Sequence, residues 1–411
     1  MLFRISFLPK YLIDKKFILE YFIMYSNIMV NKNEKIEAGI MLASYLDTIG
    51  FKNGQWEFNY RLRIRTILDA ILANFQIVHH YMSLGGFNNL DIKNWRASDD
   101  TLLIMATIKA LNDGASEINF TKRYIEIYDE LVKEERISGY QTLKSIDFLK
   151  KITKSEKKNS YLEMIPYDKN MGGNGAAIRT GPIGVFFAND FDKLIDVSIM
   201  ASRLTHNIPI GYLGGFISAL FTSYAFNNIE PWLWIDKLFD LVESKRILNY
   251  IHSTDIGIKH DKEIQTYFYG WLKYKEKRFN DLINYRGKSQ FIFPSNRFEA
   301  LSEYVSKYEQ EDPKFNFGAS GLDSVIFAYD SLLMSITSNE RFEVNLDTPK
   351  YNAESFLFFS TLHCGDSDST GAIAGYWYGT LLGYNGFDPN KMKKLEFYNQ
   401  LKKLSDNFSK K

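Results

Sequence analysis

Gly371, Gly375, Gly379 and Gly383 recur every fourth residue through a segment that also holds Ala372, Ile373, Ala374 and Trp377. Residues four apart share one face of a helix, and each glycine inside a helix costs about 1 kcal/mol relative to alanine. Such a stripe persists only where a second backbone packs too close for a side chain, so the segment predicts a central helix wedged into the core. A seam between membrane helices is the other setting for this spacing. Trp377, the tyrosines around it and the lack of a long Leu/Val run make that the weaker reading. Gly365-Asp366-Ser367-Asp368-Ser369-Thr370 stands directly before the stripe, so the helix N-terminus presents Asp366 and Asp368.

Helical periodicity dominates the remainder. Ile67, Leu68, Ile71, Leu72 and Phe75 predict a buried stripe that ends at Gly85-Gly86, with glycine as the stop signal. Similar patterns recur over 102–111, 183–199, 216–225 and 325–336, with no run of alternating strands. The class is all-α. A chain of 411 residues, 45% of them hydrophobic, buries a full core, and its size allows one large domain or two. No linker, low-complexity tract or repeat divides it, which favours one domain. The polar stretch from Glu243 to Lys314 is expected to be a solvated excursion of short helices and loops. The uncharged run Ile208–Ile229 is long enough to span a bilayer, yet Pro209, Gly211, Gly214, Gly215, Asn227 and Asn228 favour a buried helix.

Lys+Arg 50 against Asp+Glu 49 gives a net charge of +1, so the global balance points to neither nucleic acid nor an anionic membrane surface. Cys364 is the single cysteine, which rules out an internal disulfide or a thiolate zinc cage and suits a reducing, cytoplasmic or otherwise intracellular setting. Near the N-terminus, Arg4, Lys10, Asp14, Lys15, Lys16 and Glu20 interrupt the apolar residues, so a secretory signal is not expected. An amphipathic or disordered extension over 1–34 fits, as does initiation at Met24 or Met29.

Ser98-Asp99-Asp100 precedes the apolar run from Thr101 to Leu111, where a helix should start. Taken alone, this is simple capping, because Ser and Asp are preferred caps and carboxylates favour the positive end of the helix dipole. The second acidic turn at Asp366–Thr370 changes that balance. If the two helix starts meet, Asp99, Asp100, Asp366 and Asp368 converge with the hydroxyls of Ser98 and Ser369, and their repulsion calls for a cation. Oxygen ligands without clustered His or Cys favour magnesium or manganese over zinc, and the carboxylate count allows two ions.

Several ordered blocks resemble the ADP-ribosylglycohydrolases, and within them the ADP-ribosylarginine hydrolases, from about Lys35 to about Phe408. They begin with Asp47-Thr48-Ile49-Gly50, Asn53-Gly54-Gln55-Trp56-Glu57-Phe58 and Trp95-Arg96-Ala97-Ser98-Asp99-Asp100-Thr101. They continue through Met171-Gly172-Gly173-Asn174-Gly175-Ala176-Ala177-Ile178-Arg179 and Ser202-Arg203-Leu204-Thr205-His206 with Gly211-Tyr212-Leu213-Gly214. They end with His363-Cys364-Gly365-Asp366-Ser367-Asp368-Ser369-Thr370 and Lys394-Leu395-Glu396. The Trp-Glu-Phe and Trp-Arg-x-Ser-Asp-Asp blocks point to the arginine-specific branch.

The resemblance implies a compact single-domain orthogonal helical bundle over 35–410, with a binuclear magnesium cleft. Its implied metal ligands are Ser98, Asp99, Asp100, Asp366, Asp368 and Ser369, with Asp99, Asp100 and Asp368 as the catalytic carboxylates. Gly172, Gly173, Asn174 and Gly175 match a loop that holds ADP-ribose, which suits exposed N–H groups at a helix start. His206 and Asn207 match a segment lining the nucleotide site, and Gly318, Ser320, Gly321 and Asp323 a second wall. Glu57 falls at a cleft glutamate, and Gly139 matches only locally. The implied activity is magnesium-dependent release of ADP-ribose from arginine side chains of a modified protein, by a monomer. Serine-linked ADP-ribose and a silent ADP-ribose binder are the rival readings. Leu46 and Cys364 stand where relatives carry Gly, which leads us to expect backbone strain, and Leu322 replaces a common His, which bears on substrate preference.

Overall fold

The computed structural model describes residues 30–59, 64, 66–136, 138–155, 160–254, 260–280, 290–291, 301, 317–337 and 350–410. The expected N-terminal extension therefore lies, up to residue 29, outside the described residues. The principal helices are α1 (Lys32–Phe51), α2 (Ile67–Ser83), α3 (Asp99–Asn112), α4 (Glu117–Lys133), α5 (Tyr140–Ser155), α6 (Gly175–Arg179) and α7 (Phe191–Arg203). They continue with α8 (Pro209–Phe226), α9 (Asp261–Arg278), α10 (Asp323–Met334), α11 (Ala353–Thr361), α12 (Ser367–Leu382) and α13 (Tyr398–Phe408). Among the described residues the strands are two short antiparallel ribbons, Phe279–Asn280 with Gln290–Phe291 and Ile336–Thr337 with Lys350–Tyr351. The all-α class holds.

The glycine stripe is the axis of this arrangement. α12 lies along α1 more extensively than any other two elements meet. A Cβ added to Gly371 would lie 3.0 Å from the Leu46 carbonyl oxygen, and one on Gly375 would lie 2.6 Å from that of Leu42. Gly379 meets the Ala38 carbonyl in the same way, and Gly39 and Gly50 give reciprocal room from α1. Each step of four along α12 thus meets a step of four running backwards along α1, and the helices are antiparallel. Gly383 leaves the stripe as the α12 C-cap, with φ of 63°. The strain expected at Leu46 and Cys364 does not occur. Neither has a positive φ, Leu46 sits in the regular interior of α1, and the close contact there is made by its carbonyl.

Two other expectations are corrected. On α2, Leu68, Leu72 and Phe75 are 63%, 52% and 68% exposed, while Ala70, Ala73, Asn74, Ile77 and Tyr81 face inward. The inner face must approach closely, and it carries Asn74, whose side-chain oxygen accepts from the Cys364 N–H at 2.7 Å; small residues permit this where the large ones do not. The polar stretch 243–314 also contains α9, a long helix burying Ile264, Tyr267, Phe268, Trp271, Tyr274 and Arg278. Its Lys and Glu residues obscure an aromatic face that packs on α8 and α10. Arg278 reaches the buried Asp330 carboxylate of α10 at 2.7 Å, and Tyr274 donates to it at 2.9 Å, a partnering that burial of the charge requires. The uncharged helix α8 is buried nearly throughout, and none of the described helices is long and apolar enough to cross a membrane.

Gly375→Ala tests the axis. In an exposed helix this change gains about 1 kcal/mol. Here the added methyl meets the Leu42 carbonyl, and we expect a loss of about 1–3 kcal/mol in chemical denaturation; a stabilised variant contradicts the packing.

Candidate metal centre and cleft

α3 and α12 point their N-termini at one another. Ser98 caps α3 with its Oγ accepting the Asp100 N–H at 3.1 Å, so the capping reading is correct as far as it goes. Across the gap, Ser369 Oγ donates to Asp100 Oδ2 at 3.0 Å, which joins the two acidic turns directly. Carboxylate oxygens of Asp47, Asp100 and Asp368 lie within 4.8 Å of one another, and so do those of Glu57, Asp366 and Asp368. Asp368 belongs to both groups. Glu57 opens a tight turn tied to the same place, because the Phe58 N–H donates to the Gly365 carbonyl at 2.8 Å. A Cβ on Gly50 would lie 2.6 Å from the Asp368 nitrogen, so α1 also fixes the start of α12.

These acids are almost wholly out of water, with Asp47, Asp100, Asp366 and Asp368 at 0%, 4%, 7% and 3% exposure. Burial pushes Asp47 up to about 7, against the hydrogen bonds from Ser98 and Thr101. Burial likewise raises Asp99 to about 6, with the Asp366 charge adding to it. Asp100 is driven well above the usual carboxylate range by burial and then by Asp99, Asp47 and Asp366, and Asp368 by burial and then by Glu57, Asp366 and Asp100. Among the described residues, no lysine or arginine pairs with Asp47, Asp99, Asp100, Asp366 or Asp368. An all-oxygen donor set with this much buried, uncompensated charge fits a hard divalent cation.

The two glycine-rich loops form one wall beside the centre. Gly173 bridges to Ser320, the Asn174 N–H donates to the Ala319 carbonyl at 3.1 Å, and the Gly321 N–H to the Gly172 carbonyl at 2.9 Å. The Asn174 amide links this wall to the acids, donating to the Gly318 carbonyl at 2.7 Å and to Asp366 Oδ2 at 2.9 Å. Asp323 shapes the second loop from beneath, accepting from the Gly318 and Ser320 N–H groups and from the Ser320 hydroxyl. His206 supports the first: a Cβ on Gly175 would lie 2.9 Å from its Cε1. Burial lowers the His206 pKa to about 3, so the ring is neutral, with Nδ1 2.8 Å from Thr205 Oγ1. The Asn207 side chain bonds Arg203 Nε and the Ile165 carbonyl, each at 2.9 Å, and so braces the segment behind the wall. Gly139 directly precedes α5, and its backbone favours the charged form of Asp99 slightly. Leu322 is fully buried, its Cδ2 2.6 Å from where a Cβ of Gly270 on α9 would lie.

Sequence reasoning quoted Asp47 within a block and gave it no role. Its signal was available, as a lone carboxylate in the apolar run Gly39–Phe51 needs partners. Ser138, whose hydroxyl donates to Asp99 Oδ2 at 2.5 Å, was also missed, and no pattern marked it.

Fold and centre together define an all-α protein with a carboxylate-rich site able to hold a divalent cation. The family model for ADP-ribosylglycohydrolase matches residues 34–411. The ADP-ribosylhydrolase ARH1 of Dictyostelium discoideum is 31% identical over 407 residues, covering 92% of this chain and 94% of that protein. A putative ADP-ribosyl glycohydrolase of Acanthamoeba polyphaga mimivirus is 32% identical over 380 residues, covering 88% of this chain and 67% of its own length. A solved structure titled as an ADP-ribosylglycohydrolase-related protein complex superposes with a TM-score of 0.51 at 14% identity, covering 92% of this chain and 98% of its own. The chain belongs to the ADP-ribosylglycohydrolase family and is an ADP-ribosylhydrolase-type enzyme.

The buried acids make the metal-free protein pH-sensitive. A carboxyl raised from 3.8 to about 7, as at Asp47, is tolerated best while protonated, so stability falls as pH climbs through that window. Asp99, raised to about 6, acts in the same direction. We expect the chelated protein to melt lower at about pH 7.5 than at about pH 5.5, and added magnesium to raise the melting temperature more at the higher pH. Melts with and without chelator check this; the opposite slope contradicts it.

Proposed function

We propose that the protein hydrolyses the N-glycosidic bond between ADP-ribose and arginine side chains of modified proteins, with two magnesium ions or manganese in their place. The observation that carries this reading is the junction of the Ser98–Asp100 and Asp366–Ser369 turns through the Ser369–Asp100 hydrogen bond. The arginine linkage is favoured by the Trp56-Glu57-Phe58 and Trp95-Arg96-Ala97-Ser98-Asp99-Asp100 blocks. Ser98, Asp99, Asp100, Asp366, Asp368 and Ser369 would hold the ions, which when bound would supply Lewis acidity and a lowered pKa for water.

The chain's own groups do the rest. Gly172–Gly175 and Gly318–Gly321 line the ADP-ribose site as two loops tied to each other, with the Gly173 N–H held by Gln141 and those of Gly318 and Ser320 by Asp323, and neutral His206 and Asn207 keep the first loop in place. Glu57, whose carboxylate groups with those of Asp366 and Asp368, contributes to substrate binding. A carboxylate of the Asp99–Asp100 pair, or Asp368, takes the proton of the attacking water as charge develops on the ribose in an oxocarbenium-like transition state. The departing guanidine nitrogen takes up the proton removed from the water, so arginine is released as the stable guanidinium cation. Residues 35–410 serve as the catalytic domain, and the single, buried Cys364 suits an intracellular location.

Purified protein with magnesium is expected to release ADP-ribose from an arginine-linked substrate and to lose that activity with chelator. Asp100→Asn is expected to lower the rate by about 10²–10⁴-fold with its circular-dichroism spectrum unchanged. Equal activity in the variant refutes the assigned chemistry. Faster release from a serine-linked substrate in parallel replaces the linkage, and tight ADP-ribose binding without turnover replaces catalysis.

A further inference from the structure

Ser98 is gripped from both sides by groups to which the chemistry above gives no part. On one side the Ala97 N–H donates to Glu396 Oε2 at 3.0 Å, and the Ala97 carbonyl accepts from Arg136 Nη1 at 2.9 Å. Arg136 and Glu396 meet each other at two points, 2.5 and 3.2 Å, and the guanidinium lies 5.1 Å from the Phe397 ring centre. Paired, two-point geometry of this kind fixes orientation as well as distance. The Lys394-Leu395-Glu396 block, unassigned from sequence, thereby reaches the peptide before the acidic turn.

On the other side stands Asp47. Ser98 Oγ donates to Asp47 Oδ1 at 2.6 Å, Thr101 Oγ1 donates to Oδ2, and the Ser98 N–H lies 3.3 and 3.4 Å from the two oxygens. A serine hydroxyl has one proton and two lone pairs. Here the proton goes to Asp47 and one lone pair takes the Asp100 N–H, which leaves the other lone pair for a cation. Without Asp47 the proton would turn toward the neighbouring carboxylates and present a hydrogen where a ligand is needed. Asp47 lies within 4.8 Å of Asp100 and Asp368 oxygens, but both of its own oxygens already accept hydroxyl donors.

We propose that Asp47 and the Arg136–Glu396 pair are positioning residues that lock the Ala97–Ser98 peptide and aim the Ser98 hydroxyl proton away from the acidic centre. This rests on the reading of that centre as a divalent-cation site. The test is manganese binding to the full chain without substrate, by calorimetry or electron paramagnetic resonance, beside melting of the metal-free protein.

Asp47→Asn, close in shape, is expected to weaken manganese binding about 10–100-fold while the metal-free protein still melts cooperatively, with a shallower fall of its melting temperature as pH rises. In a Ser98→Ala background it is expected to add no further loss. Glu396→Ala, at a partly exposed position, is expected to weaken binding too, with part of the loss restored by Glu396→Gln; this arm decides the matter if Asp47→Asn does not fold. Wild-type affinity in both Asp47→Asn and Glu396→Ala overturns the proposal. So do losses from Asp47→Asn and Ser98→Ala that multiply, since Asp47 would then be a ligand itself. A wild-type chain that binds no manganese removes the cation reading, and the positioning role with it.

Discussion

The structure depends on how closely α1 and α12 approach one another. Backbone carbonyls of Ala38, Leu42 and Leu46 lie where side chains of residues 379, 375 and 371 would be, and no other residue type fits there without displacement of one helix. That contact sets more than stability. Its far end places Gly50 against the start of α12, and one turn earlier on α1 it places Asp47 beside Ser98. The same packing that fills the core therefore sets the distance between the two acidic turns.

Around this axis, polar groups are concentrated where water is scarce. Each acid of these two turns and Asp47 has neutral donors: Ser98 and Thr101 for Asp47, Ser138 for Asp99, the Ser369 hydroxyl for Asp100, Asn174 for Asp366 and the Ser369 N–H for Asp368. Hydroxyls and amides orient a carboxylate without supplying a counter-charge, so the set stays open to a cation. Arg278 and Asp330 show the contrast elsewhere in the core, where a buried acid meets a buried base and the charge is closed off.

Much of this was legible in the sequence because periodicity and turn chemistry are local. The glycine spacing predicted the central helix, and Ser98-Asp99-Asp100 and Asp366–Thr370 predicted two acidic helix starts. Their meeting was beyond local reading, since it depends on how intervening helices pack. α2 shows the limit well: its large apolar residues marked a stripe, yet the inward face was chosen by the small residues and by what Asn74 must reach. α9 shows the converse, a buried aromatic face hidden by surface lysines. Asp323, His206 and Asn207 lie in or behind the two loops beside the acids, and their partners came only from the fold.

The Ser367 hydroxyl donates to the Gly50 carbonyl across 317 residues of chain, so α1 and α12 are partners in space and strangers in sequence. During synthesis α1 leaves the ribosome with its groove of small residues uncovered, and its cover, α12, follows only after more than three hundred further residues. Contacts of such separation are entropically slow to form. Assembly of the acidic centre thereby waits on α12, and a chain that stops short of it has no means of forming the centre.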